Sequence, residues 1–541
     1  MSNGKRLSLG LDLSTQSLSA SILDIDRRET AGNYSLNYLK DERLNGYGIG
    51  PDYILPPREE GEADQPPALF LAALDVIFGD LQKDFDLSDI AVINVSGQQH
   101  GHVYLNNQAP SLFAALKNET PAGSNLKSLL GGSLAHDRAP IWMTASTAEE
   151  AAFIREAVGG KDNLIALTGS DAQLRFTGIV VRHIAKKYPD IYQRTSVVQL
   201  LGNFVSAVLT GNARVPADFG NGCGMSLMNY RDKDWDSDCL RAAAEGLPGG
   251  TEGLRARLPE VAAPDAAVGT VCRYFTDRYG FSPDCLVAAG SGDNPQSKVL
   301  ISSDLLSLGT SFVNMVATDG KTMDTTGAAS AMYDGVGRPF MFGCRTNGAL
   351  VWDQVRARHG LSREDYAPAE QALRETALGT FLVLWQPRTE SFPASGSFDL
   401  WRDNHNATGL GPDYAGCIES SLAAVYHHSR PFAPESDSPL YVTGGATGSP
   451  GIMRRIAAIW KRPVVPVETK GAALGAAVAG VSTLCQHDRQ PFTIDVFTAR
   501  LTSTGKEVRP LPDDIAAFHA PGGYLERFAA AEAQLMQLHH L

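Results

Sequence analysis

The chain has 541 residues, 43% hydrophobic and 20% charged, an ordinary globular composition at a length too great for one core, so two large domains are expected. The formal net charge of −13 repels phosphate backbones and argues against nucleic acid as a partner, leaving small anions to local pockets of N–H groups and cations. Seven cysteines at 223, 239, 272, 285, 344, 417 and 485 show no CxxC spacing, which excludes a zinc site or disulfide framework and suits a reducing cytoplasm.

The opening MSNGKRLSLGLDLS has no long apolar leader, so no signal peptide is expected, and no run of about 18 apolar residues suggests a membrane span. Residues 7–13 (LSLGLDL) and 18–24 (LSASILD) alternate apolar with small or polar residues and read as strands around the turn Ser14-Thr15-Gln16. Residues 67–81 carry apolar side chains on a helical period. The apolar run 90–95 (IAVINV) reads as a strand buried on both faces and runs into Ser96-Gly97-Gln98-Gln99-His100-Gly101. Ser146, with Glu149 three residues on, predicts a capping box opening a helix. Strands alternating with helices imply an α/β protein.

The second half repeats the layout. Residues 305–318 (LLSLGTSFVNMVAT) are strand, Gly309-Thr310-Ser311 turn and strand, matching the first hairpin in arrangement though weakly in identity. LYVTGGATGSP at 440–450 is a strand ending in glycines, followed by a helical run, the strand PVVPV and a small-residue helix at 471–480. The latter reads as a closely packed helix that also borders a nucleotide pocket. One domain boundary is expected between 290 and 291, with no low-complexity linker.

Four features carry chemistry. Turns of Gly, Ser and Thr aim N–H groups and hydroxyls at one place, a phosphate cradle that needs no lysine; ordinary polar hairpins are the alternative. Asp12, ending the first strand, suits a divalent cation beside phosphates. Gln98, Gln99 and His100 supply donors and acceptors for a polyol, with Arg175 as a fork; a satisfied core histidine is the alternative. The stretch AAGSGDNPQS delivers one carboxylate, Asp293, from an apolar strand through glycines, either a plain turn or a reactive group. GxxxxGK[ST], HExxH and GxSxG are absent, and no GxGxxG follows a strand.

LGLDLSTQS, SGQQHG, LTGSDAQLRFTG, ADFGNGCGMSLMN, GSGDNPQS, SLGTS and TGGA occur in this order from residue 9 to about residue 480. Together they resemble the FGGY carbohydrate kinases, most nearly the branch that phosphorylates the ketopentose D-xylulose. The resemblance implies a two-domain α/β fold of the actin-like (ribonuclease H-like) ATPase type with an interdomain catalytic cleft. Residues 1–290 would hold the sugar and first phosphate hairpin, and 291–541 the second hairpin and adenosine. It implies transfer from ATP with Mg²⁺ to give D-xylulose 5-phosphate. Asp293 is then the catalytic base. Gln99, His100, Arg175, Asp293 and Asn294 hold the ketose, and Asp12 the metal. Ser14, Thr15, Gln16, Gly309, Thr310, Trp352, Gly444, Gly445 and Ala446 serve the nucleotide. The expected partners are therefore ATP and a ketopentose, with neither nucleic acid nor membrane, in a cytoplasmic monomer or homodimer.

Two departures stand out. IWMTAST places Thr144 where the family usually has an acid, and LVLWQPRTESFP replaces a GERxP segment. Thr144 keeps a second acceptor open, a ribulose-type sugar or another polyol. A non-catalytic sugar or nucleotide sensor of the same fold is the remaining alternative; both Asp12 and Asp293 speak against it.

Overall fold

The computed structural model describes residues 6–539 apart from 363, 434, 469 and 470. The reading of a leaderless start therefore falls partly outside the described residues. The described residues of 1–300, 331–339 and 470–501 form one compact unit, and those of 301–330, 340–469 and 502–541 form a second.

In the first unit, β1 (Leu7–Leu13), β2 (Ser17–Asp24) and β3 (Glu29–Asn37) form an antiparallel meander. β4 (Ile90–Gly97) lies parallel to β1, with Asp12 opposite Ser96. β5 (Ala267–Thr270), β6 (Leu286–Ala288) and β7 (Ser291–Gly292) complete the sheet. Its order is β5-β6-β4-β1-β2-β3, with β7 also on β4. β6 and β7 both run parallel to β4 and are separated by Ala289 and Gly290, the latter at φ 85°.

Cover on both faces explains the nearly continuous burial of β4. Ile93, Val95 and Gly97 point one way and Val92, Asn94 and Ser96 the other. A Cβ on Gly97 would lie 2.5 Å from Gly202 N, at the start of a helix over Leu201–Thr210. Val92 and Asn94 meet Gly480 of the Gly471–His487 helix on the opposite face. That helix lies backbone to backbone on β1: a Cβ on Gly10 would come within 1.8 Å of Ala473 O, and Ser8 Oγ donates to Ala477 O at 2.6 Å. Its alanines and glycines are thus packing residues, as the sequence suggests. Helix α1 (Pro67–Asp84) buries Leu69, Phe70, Leu74, Ile77, Phe78 and Leu81 on one helical face, with Pro67 at its first turn where a missing N–H costs nothing.

The predicted capping box is not formed. Helix α2 spans Ala148–Ala157 with Thr147 at the cap and no side-chain capping bond. Thr147 Oγ1 donates instead to the Leu174 carbonyl, and Ser146 Oγ is buried without a partner. The Thr147 hydroxyl is thus oriented by a tertiary carbonyl and not by the helix's own N–H donors.

The second unit repeats the hairpin-plus-parallel-strand layout. β8 (Leu305–Leu308) pairs antiparallel with β9 (Phe312–Ala317) and parallel with β11 (Leu440–Thr443). β10 (Pro339–Arg345) continues antiparallel from β9, and β12 (Val464–Glu468) parallel from β11. Helices α3 (Ala349–Arg358), α4 (Leu410–Ser429) and α5 (Pro450–Trp460) cover this sheet, and their apolar faces share one core with β8 and β11. Among the described residues no helix is long and apolar enough to cross a membrane.

Candidate active site

Three adjacent parallel strands of the first unit deliver their C-terminal ends side by side. Asp12 on β1 faces Ser96 on β4, and Ser96 faces Ser291 on β7. Ser96 Oγ donates to Asp12 Oδ1 at 2.6 Å. One residue past β7, Asp293 opens a short helix, Asp293–Val299, rather than a simple turn. Its Oδ1 accepts the backbone N–H of Asn294 at 2.8 Å and of Gln99 at 3.2 Å. Glycine is required just before it, because a Cβ on Gly292 would sit 1.9 Å from Gln99 Oε1.

The QQHG segment after β4 splits its duties. Gln98 turns to the first hairpin: Thr15 Oγ1 donates to Gln98 Oε1 at 2.9 Å, and Gln98 Nε2 donates to Gln65 Oε1 at 2.7 Å. Gln99 turns the other way, its Nε2 donating to Asn221 Oδ1 at 3.0 Å. His100 adopts φ 67°, which a non-glycine residue rarely does. Its Nδ1 lies 3.0 Å from the Gly224 carbonyl, and its ring packs on Phe176 with centroids 4.7 Å apart. A carbonyl only accepts, so Nδ1 carries the proton and Nε2 keeps a lone pair for a ligand hydroxyl.

The electrostatics suit a base. Burial pushes Asp293 up to about 7, reinforced by the charge of Asp12 and opposed by the N–H groups of Asn294 and Gln99. Burial likewise lifts Asp12 to about 6, against the hydrogen bond from Ser96. Burial, then the positive charge of Arg175, lowers His100 to about 3 and keeps it neutral. Asp12, Gln99, His100, Asp293 and Asn294 are therefore brought into one region, with Arg175 near enough to act on His100. In the hairpin turn both hydroxyls are spent internally, since Ser14 Oγ donates to Ser17 O at 2.9 Å and Thr15 to Gln98. Backbone N–H groups, not hydroxyls, are what that turn has to offer an anion; Gln16 is exposed at its tip.

The second unit contains a cavity of about 480 Å³ whose wall includes Gly309, Thr310, Trp352, Gly445 and Ala446. Gly444 is the turn behind it: it adopts φ 105°, and a Cβ there would meet Leu308 O at 2.4 Å. Trp352 is nearly fully buried against Phe312, with ring centroids 5.0 Å apart. Tyr366 and Tyr414 supply further aromatic wall, and Arg356 lies 4.1 Å over the Tyr366 ring. A flat aromatic ligand fits such walls, and glycine turns admit its phosphates.

The sequence pattern of the N-terminal domain of the FGGY family of carbohydrate kinases matches residues 137–299, and that of its C-terminal domain matches residues 305–484. The chain belongs to the FGGY family of carbohydrate kinases. It is an ATP-dependent sugar kinase with the two-domain α/β fold of the actin-like ATPases. It is 32% identical to a probable D-xylulose kinase A of Aspergillus clavatus over 74% of this chain and 71% of that one. It is 28% identical to that of Aspergillus flavus over 90% of each. Among solved structures, xylulose kinase from Rhodospirillum rubrum superposes with TM-score 0.78 at 18% identity, covering 98% of this chain and 99% of that one. Gluconate kinase from Lactobacillus acidophilus gives TM-score 0.78 at 16% identity, over 98% of each chain. At such identities the structural likeness carries the fold alone.

Within this FGGY chain, sequence reasoning missed the residues that hold the site. Ser96 was legible in principle, being the cross-strand neighbour of Asp12 once β1 and β4 are paired. Gln65 gave no local signal, because its partners are distant in sequence; Asp218 and Asn221 lie in ADFGNGCGMSLMN, but their contacts to Ser291 and Gln99 are likewise distant. Trp142 also belongs here: its Nε1 donates to Thr15 Oγ1 at 3.0 Å, joining the segment before Thr144 to the first hairpin.

Proposed function

We propose that the chain phosphorylates D-xylulose with ATP, giving D-xylulose 5-phosphate and ADP, with Asp293 as the base. The observation that carries this is the carboxylate of Asp293 itself, lifted to about 7 and fixed by two backbone N–H groups. Such a group accepts a hydroxyl proton while the sugar oxygen forms its bond to the γ-phosphorus and the bond to the ADP oxygen breaks. His100 Nε2 accepts a sugar hydroxyl; Arg175, Gln99 and Asn294 complete the sugar contacts. The Trp352 cavity takes the adenosine, with Gly309, Thr310, Gly444, Gly445 and Ala446 near its phosphates; in the Ser14-Thr15-Gln16 turn the Ser14 N–H is held by Ser17 O at 2.9 Å, so the N–H groups of Thr15 and Gln16 serve the transferred phosphoryl group.

Mg²⁺ suits the donor set. Asp12 and Asp293 are desolvated carboxylates, the charge of Asp12 raising the proton affinity of Asp293, and among the described residues neither is in an ion pair. Asp12 is the residue that would hold the ion, which when bound neutralises phosphate oxygens. The choice of D-xylulose draws on the names of the Aspergillus relatives. The surroundings of Thr144 support it too: this side chain is buried and its hydroxyl donates to the Ala63 carbonyl at 3.2 Å. The departure from the family acid is thus met by backbone, which removes the main reason to favour a ribulose-type substrate. The test is ADP release with Mg-ATP and D-xylulose, D-ribulose, L-ribulose, L-xylulose, glycerol or no acceptor. Selective stimulation by D-xylulose is expected; stimulation by another sugar alone moves the substrate, and none by any acceptor removes the reading.

A further inference from the structure

Asp293 is one member of a closed ring of hydrogen bonds, most of which lies outside the residues given roles above. Starting from Asp293 Oδ1, the ring passes to the N–H of Gln99 at 3.2 Å. The Gln99 side chain donates to Asn221 Oδ1 at 3.0 Å. The Asn221 N–H donates to Asp218 Oδ2 at 2.7 Å. The same oxygen accepts Ser291 Oγ at 2.5 Å. Ser291 then leads through Gly292 back to Asp293. Asp218 and Ser291 are fully buried, and Asn221 nearly so. Asp218 also caps the short helix Phe219–Gly222. That helix approaches so closely that a Cβ on Gly220 would lie 3.0 Å from both Asp218 Oδ2 and Ser291 Oγ.

We propose that Asp218, acting through Ser291 and Asn221, is the positioning residue for the base. One carboxylate oxygen grips the strand end that carries Asp293 and the helix whose Asn221 holds Gln99, so the base and its N–H donor keep a fixed relation. β7 is two residues long and enters from the Ala289-Gly290 break, so the sheet alone restrains it weakly. Gly292 adds a residue without a side chain immediately before the base. The grip of Asp218 replaces the restraint that a longer strand would have supplied. Proton acceptance is sensitive to such placement: a shift of about 1 Å in a reacting group costs on the order of 100-fold in rate.

This inference rests on the kinase reading above. The experiment compares wild type, Ser291→Ala, Asp218→Asn, Asp293→Ala and Asp293→Ala/Ser291→Ala by sugar-dependent ADP release. Ser291→Ala, a small change, and Asp218→Asn, an isosteric one, should each lower kcat roughly 10- to 100-fold while KM for Mg-ATP stays within about twofold. In the Asp293→Ala background, adding Ser291→Ala should change the residual rate by less than about twofold, because the group it positions is gone. A merely structural ring would instead depress both backgrounds alike, and that result overturns the proposal. So does a near-wild-type kcat for Ser291→Ala, whether or not Asp218→Asn folds. If Asp293→Ala itself retains full rate, the assignment of Asp293 as the base fails and this inference with it; if wild type phosphorylates no sugar, the kinase reading beneath both fails instead.

Discussion

His102 gives a prediction whose size follows from its surroundings. It is fully buried beside the sugar segment, with Nδ1 3.0 Å from the His100 carbonyl and Nε2 2.9 Å from Tyr104 Oη. The neutral ring satisfies both contacts, donating from Nδ1 and accepting the phenol proton at Nε2. Burial accordingly lowers it from 6.5 to about 4. A base whose affinity for protons falls on folding contributes stability above its unfolded value and loses it as pH falls towards the folded one. At about 1.4 kcal/mol per unit, the proton taken up by the unfolded chain costs about 2 kcal/mol at pH 5 and under about 0.3 kcal/mol at pH 7. Asp12, Asp218 and Asp293, all raised by burial, titrate with the opposite sign, so wild-type stability alone is a poor readout. The difference between wild type and His102→Gln removes their contribution. Urea unfolding of both proteins at pH 7 and pH 5, followed by a probe in the first unit, should show the stability gap shifting by about 2 kcal/mol in favour of the variant at the lower pH. A gap that is the same at both pH values would mean that His102 is not held neutral and would refute the reasoning.

Three further outcomes are expected. Asp293→Asn should reduce phosphoryl transfer about 100- to 10,000-fold with nucleotide affinity unchanged, as read by ADP release and calorimetry; retained turnover removes Asp293 as the base. Thr144→Asp sets a carboxylate against the Ala63 carbonyl and should cost about 1–3 kcal/mol of stability without changing which sugar is preferred; a switch in the sugar panel would return position 144 to the ligand. Gly10→Ala drives a methyl into the Ala473 carbonyl and should cost about 3 kcal/mol or more, visible as lost soluble yield or a lowered Tm; a variant as stable as wild type would contradict the close approach of that helix to β1.

Both hairpins and the strands at 90–95 and 440–443 were legible because their signals are local: alternation, an apolar run, glycine at the turn. The positions of Asp12 and Asp293 were legible for the same reason, each lying where an apolar strand gives way to turn residues. What sequence could not supply was long-range pairing. Ser96 becomes a partner of Asp12 only through strand register, and the two glutamines of QQHG look equivalent until their surroundings separate them. The helix starts one residue later than the Ser146 signal implies, and the hydroxyl at that start, Thr147, is turned to the Leu174 carbonyl, a contact that no window of a few residues contains. The single boundary between 290 and 291 likewise could not reveal that residues 471–501 return to the first unit, since small-residue helices announce close packing but not its partner.

That return has a consequence for how the protein is made. The Gly471–His487 helix covers the face of β1 and β4 on which Asp12 and Ser96 lie. On the ribosome that face is synthesised within the first hundred residues and waits uncovered until the helix that begins at Gly471 has been made. The first unit cannot finish folding in order of synthesis, as amino-terminal domains usually do. A nascent chain stalled, or a fragment cut, before the helix emerges would keep the main apolar cluster of the first unit and carry every residue proposed to touch the sugar, yet leave Leu23 without the Leu474, Ala477 and Val478 that pack with it.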